Sequence, residues 1–263
     1  MPYAEVDNAS IYYEVTGSGP WVVLIHGAWA HHGWWRCQIP ALARKYRVLA
    51  LDVRGHGKST KLTQPYSVEG FTRDLEIVLK TAGVNEMVLV GWSMGGIISM
   101  QYCLNHPDQV KGMVLVATRA SKNPAFKWRF RIQQLQARIS LMMDFADYDG
   151  FDYTSRVDRE VKAMLAPFTE KEIVEWAIED LKRNPRESFS QVIKSLWDWE
   201  LDEKLRSISS PTLILVGEND HQTPPALSQY IHDRIPGSHL SIFEECTHYL
   251  LLEKPDKVNS EIM

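Results

Sequence analysis

Short runs of consecutive apolar residues at positions 21–25, 87–90, 112–117 and 211–216 constrain this chain more than any other feature of its sequence. A strand with one wet face alternates apolar and polar side chains, whereas an uninterrupted apolar run of this length fits a strand covered on both faces. The stretches between the runs have a different period. Phe71, Leu75, Val78 and Leu79 recur at helical spacing over 67–80, with Ser67 placed as N-cap, and a short helix is expected around 39–44 before another strand at 46–51. Residues 97–104 continue the alternation. Further strands are expected at 11–15, ahead of the turn signal Gly17-Ser18-Gly19-Pro20, and at 240–243. Strand, helix, strand in repetition predicts an α/β fold, a parallel sheet with helices on both faces. At 263 residues and 44% hydrophobic content, the chain has enough apolar material for one sizeable core.

The alternation breaks after Thr118 and resumes at Pro211. Between 119 and 200 the spacing is helical and aromatic residues concentrate, Trp128, Trp176, Trp197 and Trp199 among them. This divides the chain into a core made of 1–118 and 201–263 and a helical lid, 119–200, inserted over an edge of the sheet. Most of those aromatics are read as the insertion's own packing and a minority as the wall of a pocket. Charge excludes some partners: 29 Lys and Arg against 33 Asp and Glu leave −4, which attracts neither a nucleic-acid backbone nor an anionic membrane. Cys37, Cys103 and Cys246 are too few and too scattered for a disulfide framework or a four-thiolate zinc site. The N-terminus lacks a basic segment leading into an apolar one, and no run approaches the roughly 18 apolar residues that span a bilayer. A cytoplasmic location away from membranes is therefore expected.

The strongest chemical signal is Gly91-Trp92-Ser93-Met94-Gly95-Gly96, set directly between the strand ending at Val90 and the helical run from Ile97. A sharp strand-to-helix turn strains its central residue and leaves no room for side chains two positions away, so glycine is needed at 91 and 95. Ser93 Oγ is left projecting, and the N-terminus of the following helix points at the place where an oxyanion would form. A serine hydroxyl needs a base, and the base a carboxylate to orient it. Asp220 lies in the loop after the strand at 211–216, and His248 in the loop after the strand at 240–243. Open α/β sheets build their sites at such carboxyl ends.

On these residues the sequence resembles the α/β-hydrolase fold family, whose catalytic groups run Ser, then Asp or Glu, then His. His26-Gly27 is similar to its oxyanion loop, residues 52–59 to the segment after the next strand, 91–96 to its nucleophile turn, and His248 with Glu253-Lys254-Pro255 to its histidine loop. The resemblance implies a mostly parallel eight-stranded sheet flanked by helices. It implies Ser93 as nucleophile, His248 as general base and then acid, Asp220 as the orienting carboxylate, and the amides of Ala28 and Met94 as the oxyanion hole. Trp29 and Trp92 flank that hole, as substrate contacts or as core packing. Glu218 is the other candidate acid, but the family spacing favours Asp220. No metal or organic cofactor is implied.

Small carboxylesterases and 3-oxoadipate enol-lactonases are the most similar members. They imply a small-molecule substrate, a small to medium uncharged ester or a lactone, cleaved through an acyl-enzyme. A C–C bond hydrolase with the same three groups is the enzymatic alternative, and a ligand-binding receptor on this fold is the alternative of another class. Two features depart from the pattern: Thr247 stands where many relatives have glycine, and the stop at Met263 leaves little room for a final helix, which is read as truncation or weak stability. His26 is read as structural, beneath the oxyanion loop. His31 and His32 are read as pocket-rim residues, because neighbouring histidines point apart and no Asp, Glu or Cys completes a ligand set. Asp52, Arg54 and Ser59 are read as loop fixers and Cys246 as a buried, inert thiol.

Overall fold

A computed structural model describes residues 2–61, 66–120, 161–162, 164–182, 186–197 and 199–263. Eight strands form one sheet: β1 (Tyr3–Val6), β2 (Ala9–Gly17), β3 (Trp21–Ile25), β4 (Arg47–Leu51), β5 (Met87–Trp92), β6 (Val110–Val116), β7 (Thr212–Gly217) and β8 (His239–Phe243), in the order β1-β2-β4-β3-β5-β6-β7-β8. β2 is antiparallel to β1 and to β4, and every pair from β4 to β8 is parallel. The described helices are α1 (Gln38–Leu42), α2 (Val68–Ala82), α3 (Met94–Asn105), α4 (Lys171–Lys182), α5 (Arg186–Trp197), α6 (Pro225–His232), α7 (Leu250–Glu253) and α8 (Pro255–Ile262).

The uninterrupted apolar runs find the environment their pattern requires. In β3, Val23 and Ile25 join Leu75, Leu79, Ile97 and Ile98 of α2 and α3 on one face, while Val22 and Leu24 join Trp34, Trp35, Leu42 and Val258 on the other. Both faces of β3 are thereby removed from water, and burial of one such aliphatic side chain contributes about 1.5–3 kcal/mol. α2 begins where expected, with Ser67 Oγ accepting the Gly70 N–H at 3.0 Å, and ends on Gly83 in the left-handed region, φ 73°.

The strand order also creates the site. From β3 the chain moves to β4 on one side, then crosses to β5 on the other, so the loops leaving β3 and β5 diverge. Such a divergence, at the carboxyl ends of adjacent parallel strands, is where open α/β sheets build their sites.

Two expectations need correction. β1 was not foreseen as a separate strand; its four residues alternate exposed and buried, and it gains its identity from pairing with β2. The final helix is present: α8 has Val258 fully buried, and Asn259 Nδ2 donates to the carbonyl of Cys37 at 3.1 Å. Of the segment assigned to a lid, α4 and α5 are described, with Ala177, Leu181, Val192 and Leu196 buried. Residues 121–160, including Trp128, and the side chain of Trp197 lie outside the described residues. Among the described residues no helix is long and apolar enough to cross a membrane.

One ion pair fastens the loop after β4 to α2. Arg54 donates through Nε and Nη2 to both oxygens of Asp74, at 2.7 and 2.5 Å, and the carboxylate is almost wholly buried. Burial pushes the Asp74 carboxyl above its ordinary range, and Arg54 offsets part of that. Removing the cation alone strands a buried charge. Arg54→Met is expected to lower the urea-unfolding free energy by about 3–5 kcal/mol, with Arg54→Met/Asp74→Leu regaining most of it; a single variant within about 0.5 kcal/mol of the parent contradicts this.

Candidate active site

Ser93 occupies the turn between β5 and α3 with φ 54° and ψ −114°. A non-glycine residue held there stores about 1–3 kcal/mol of strain, so the surroundings must fix it. They do: its N–H donates to Val116 O at 2.8 Å, and its carbonyl accepts from Thr118 Oγ1 at 2.6 Å. Glycine at 91 and 95 is explained by contact, since a Cβ on Gly91 would fall on the carbonyl of Gly95, and a Cβ on Gly95 on the carbonyl of Ile25. Gly27 is the matching position in the loop after β3. A Cβ there would lie 3.2 Å from Ser93 Cβ and 3.1 Å from the Trp92 ring, so the two loops meet at Ser93. Met94 is the first residue of α3, whose N–H has no partner within the helix, and Ala28 follows Gly27 in a turn closed by Ala30 N–H to Gly27 O at 3.3 Å. Trp29, at φ 67°, lets that turn bend.

Asp220 and His248 are brought together across 28 positions of sequence. His248 Nδ1 donates to Asp220 Oδ2 at 2.8 Å, and the two side chains are 5% and 0% exposed. Asp220 Oδ1 accepts the N–H groups of Gln222 and Thr223, each at 2.8 Å, and Oδ2 the Thr223 hydroxyl at 2.7 Å. Burial alone would raise the Asp220 carboxyl; the His248 imidazole and the Thr223 donors outweigh it and hold the group below the usual carboxylate range. The backbone of His248 is anchored to the Ser93 turn, because Trp92 Nε1 donates to His248 O at 3.0 Å. Trp92 itself is 2% exposed and stacks on Trp34, centroids 5.5 Å apart. Glu218, the other candidate acid, instead accepts the Glu245 N–H at 3.0 Å.

The remaining histidines have distinct tasks. His26 is fully buried, its Nδ1 donating to Gly27 O at 2.7 Å while Nε2 accepts the Val53 N–H at 2.9 Å. That pattern needs a neutral ring, and burial pulls its pKa down to about 3; His56, 5.1 Å away, is pulled to about 4 by the same cause. The expectation that no acid joins His31 and His32 is overturned. Asp52 lies beside them, with one ligand atom from each of the three residues within 4.8 Å of the others. All three are engaged in protein contacts: Asp52 Oδ1 accepts from His32 N and Nδ1, both at 2.7 Å, its Oδ2 from Lys58 N, and His31 Nε2 donates to Asp180 of α4 at 2.7 Å. Adjacency in sequence concealed this because Asp52 arrives from the end of β4.

Several contributors were not legible. Trp34 lies 5.1 Å from Trp176 of α4 and 5.7 Å from Tyr249, and Trp34 and Tyr249 pack with Val161, Met164, Leu165, Ala177 and Leu181 in an apolar cluster that leaves no room for a water molecule. Glu253 accepts from Thr247 N at 2.7 Å, Thr247 Oγ1 at 2.5 Å and Ala166 N at 2.8 Å. Thr247 is thus the hydroxyl that ties the histidine loop to Glu253, which accounts for a residue larger than glycine there. Cys246 is buried, its thiol pushed up to about 11 by burial, as expected of an inert sulfur.

The profile of the alpha/beta hydrolase fold family matches residues 20–255. The chain belongs to the α/β-hydrolase fold family. Similar curated proteins include a putative carbamate hydrolase of Azorhizobium caulinodans, 28% identical over 100% of this chain and 97% of its own length. A pimeloyl-[acyl-carrier protein] methyl ester esterase of Nitrosomonas europaea is 26% identical over 95% and 96%. Among solved structures, an esterase from Exiguobacterium antarcticum superposes with a TM-score of 0.88, with 25% identity over 99% of this chain and 97% of that one. In this hydrolase the carboxyl ends of β3 and β5 are where the family's chemistry is expected.

Protonation of His26 and His56 is easier in the unfolded chain, near an ordinary 6.5, than in the folded one, at about 3 and about 4. The stability owed to neutral rings is therefore complete above about pH 6.5 and declines as pH falls toward 4. Melting temperature is expected to drop over that window, and His26→Gln, whose amide makes both bonds without titrating, should flatten the drop. An identical pH profile for parent and variant contradicts the assignment.

Proposed function

We propose that the chain hydrolyses carboxylic esters through an acyl-enzyme on Ser93. The observation that carries this reading is the buried Asp220–His248 hydrogen bond, held by Trp92 against the strained turn that presents Ser93. His248 takes the Ser93 proton on Nε2 as Oγ attacks the ester carbonyl, and Asp220 stabilises the imidazolium through Nδ1–H. The N–H groups of Met94 and Ala28 receive the oxyanion, each such donor contributing roughly 10²–10³ in turnover. His248 then returns the proton to the departing alkoxide. Water, activated by the same imidazole, attacks the acyl carbon and releases the acid and free Ser93.

The segment 119–200 serves as a lid, and the apolar side chains that its described part packs beside Trp34 and Tyr249 favour a small to medium uncharged ester, recognised by shape and apolar contact. Trp92 supports the histidine loop, and Trp29 flanks the oxyanion turn. The methyl ester esterase and the Exiguobacterium esterase among the similar proteins support this reading over cleavage of a C–C bond.

Short-chain aryl esters are expected to be turned over with steady-state kinetics. Ser93→Ala should lower kcat by roughly 10⁴–10⁶ while leaving the melting temperature within a few degrees. An organophosphate should add one mass-detectable adduct to the Ser93 peptide; labelling elsewhere, or activity surviving Ser93→Ala, overturns the proposal. A panel that includes lactones and vinylogous diketones distinguishes the ester reading from its neighbours.

A further inference from the structure

Asp220 presents four acceptor positions on two oxygens, and Thr223 fills two of them. Its N–H reaches Oδ1 at 2.8 Å and its hydroxyl Oδ2 at 2.7 Å; Gln222 N–H and His248 Nδ1 take the others. Thr223 Oγ1 also lies 3.2 Å from His248 Nδ1. A hydroxyl has one proton, which here goes to the carboxylate, and two lone pairs, so toward the imidazole it acts as an acceptor. The Nδ1–H is thus shared between Asp220 Oδ2 and Thr223 Oγ1. Thr223 is 7% exposed and Asp220 2%, so water does not readily replace the missing donor if the hydroxyl is removed.

We infer that Thr223 is a positioning residue for the hydrolysis, fixing the Asp220 carboxylate and giving the His248 Nδ1–H a second acceptor. The inference rests on the ester-hydrolase reading of the site. When the Ser93 proton arrives on His248 Nε2, the ring becomes cationic and both of its Nδ1–H acceptors gain in strength, because hydrogen bonds to ions are about twice as strong as neutral ones. Thr223 therefore acts more on the transition state than on the resting enzyme. The proton moves from Ser93 Oγ to Nε2 and back to the leaving group, while the Nδ1 and Thr223 protons stay where they are. Contacts with the substrate are untouched, so the effect falls on kcat and not on KM.

Thr223→Val keeps the shape and removes the hydroxyl; Thr223→Ser keeps the hydroxyl and removes the methyl. With a short-chain aryl ester, Thr223→Val is expected to lower kcat about tenfold, the equivalent of about 1.4 kcal/mol, with KM within about twofold. Thr223→Ser should recover kcat to within about twofold of the parent. The downfield proton resonance of His248 Nδ1–H should move in the valine variant and return in the serine one, which loss of packing alone would not produce. If valine prevents folding, Thr223→Ala against Thr223→Ser carries the same contrast. Parental kcat in the valine variant, a serine variant as slow as valine, or an unmoved resonance overturns the inference. If Ser93→Ala is inactive in the same assay, that failure belongs to Thr223 alone; turnover surviving Ser93→Ala overturns both readings.

Discussion

The approach of α3 to the carboxyl end of β3 is the constraint on which the site depends. Gly95 passes so close to the Ile25 carbonyl that no side chain fits, and Gly27 comes within van der Waals reach of Ser93 Cβ. This packing drives Ser93 into the left-handed region and places the first amide of α3 beside the loop that carries Ala28. A wider turn would relieve the strain, but the proposed nucleophile and the proposed oxyanion donors would then separate. The strain is held by strong local bonds, Ser93 N–H to Val116 and Thr118 Oγ1 to Ser93 O, both anchored on the adjacent strand β6 or just past its end.

Around that point the protein sorts its histidines by environment. His26 meets a carbonyl and an N–H in a dry interior, so the neutral ring wins by a wide margin. Its neutrality has a structural use: only an unprotonated Nε2 accepts the Val53 N–H, which joins the β4 loop to the β3 loop. His248, equally hidden from solvent, faces a carboxylate instead. The Asp220 carboxylate fixes the orientation of that ring through Nδ1, a partner that His26 lacks, and this difference is what the proposed chemistry requires.

Fold class was legible because burial on both faces writes itself into sequence as uninterrupted apolar runs, and β3 through β7 carry that mark. The placement of Ser93, Asp220 and His248 just past strand ends was legible because their neighbours are residue types suited to a tight turn or a loop. Contacts made only after folding left no such mark. Asp52 reaches His31 and His32 from twenty positions away, and Glu253 meets Ala166 across 87. Short elements were illegible for another reason. β1 has four residues and α7 four, too few to show a period, and both exist through their neighbours.

Among the described residues, several polar contacts between the segment after β6 and the rest of the chain fall on the loops around Ser93 and His248. Asp180 accepts from His31 at 2.7 Å and from Trp34 Nε1 at 2.8 Å, both just downstream of the Gly27–Ala30 turn. Burial lowers the His31 imidazole, but Asp180 more than offsets it, so the ring's pKa is raised above its ordinary value. Ala166 donates to Glu253, the carboxylate that also holds Thr247 next to His248. Apolar contact alone, as in the cluster of Trp34, Leu181 and Tyr249, would let α4 slide, because dispersion is non-directional. The directional bonds from Asp180 to His31 and Trp34 fix its register against the loop after β3, and a displacement of α4 would be felt there first.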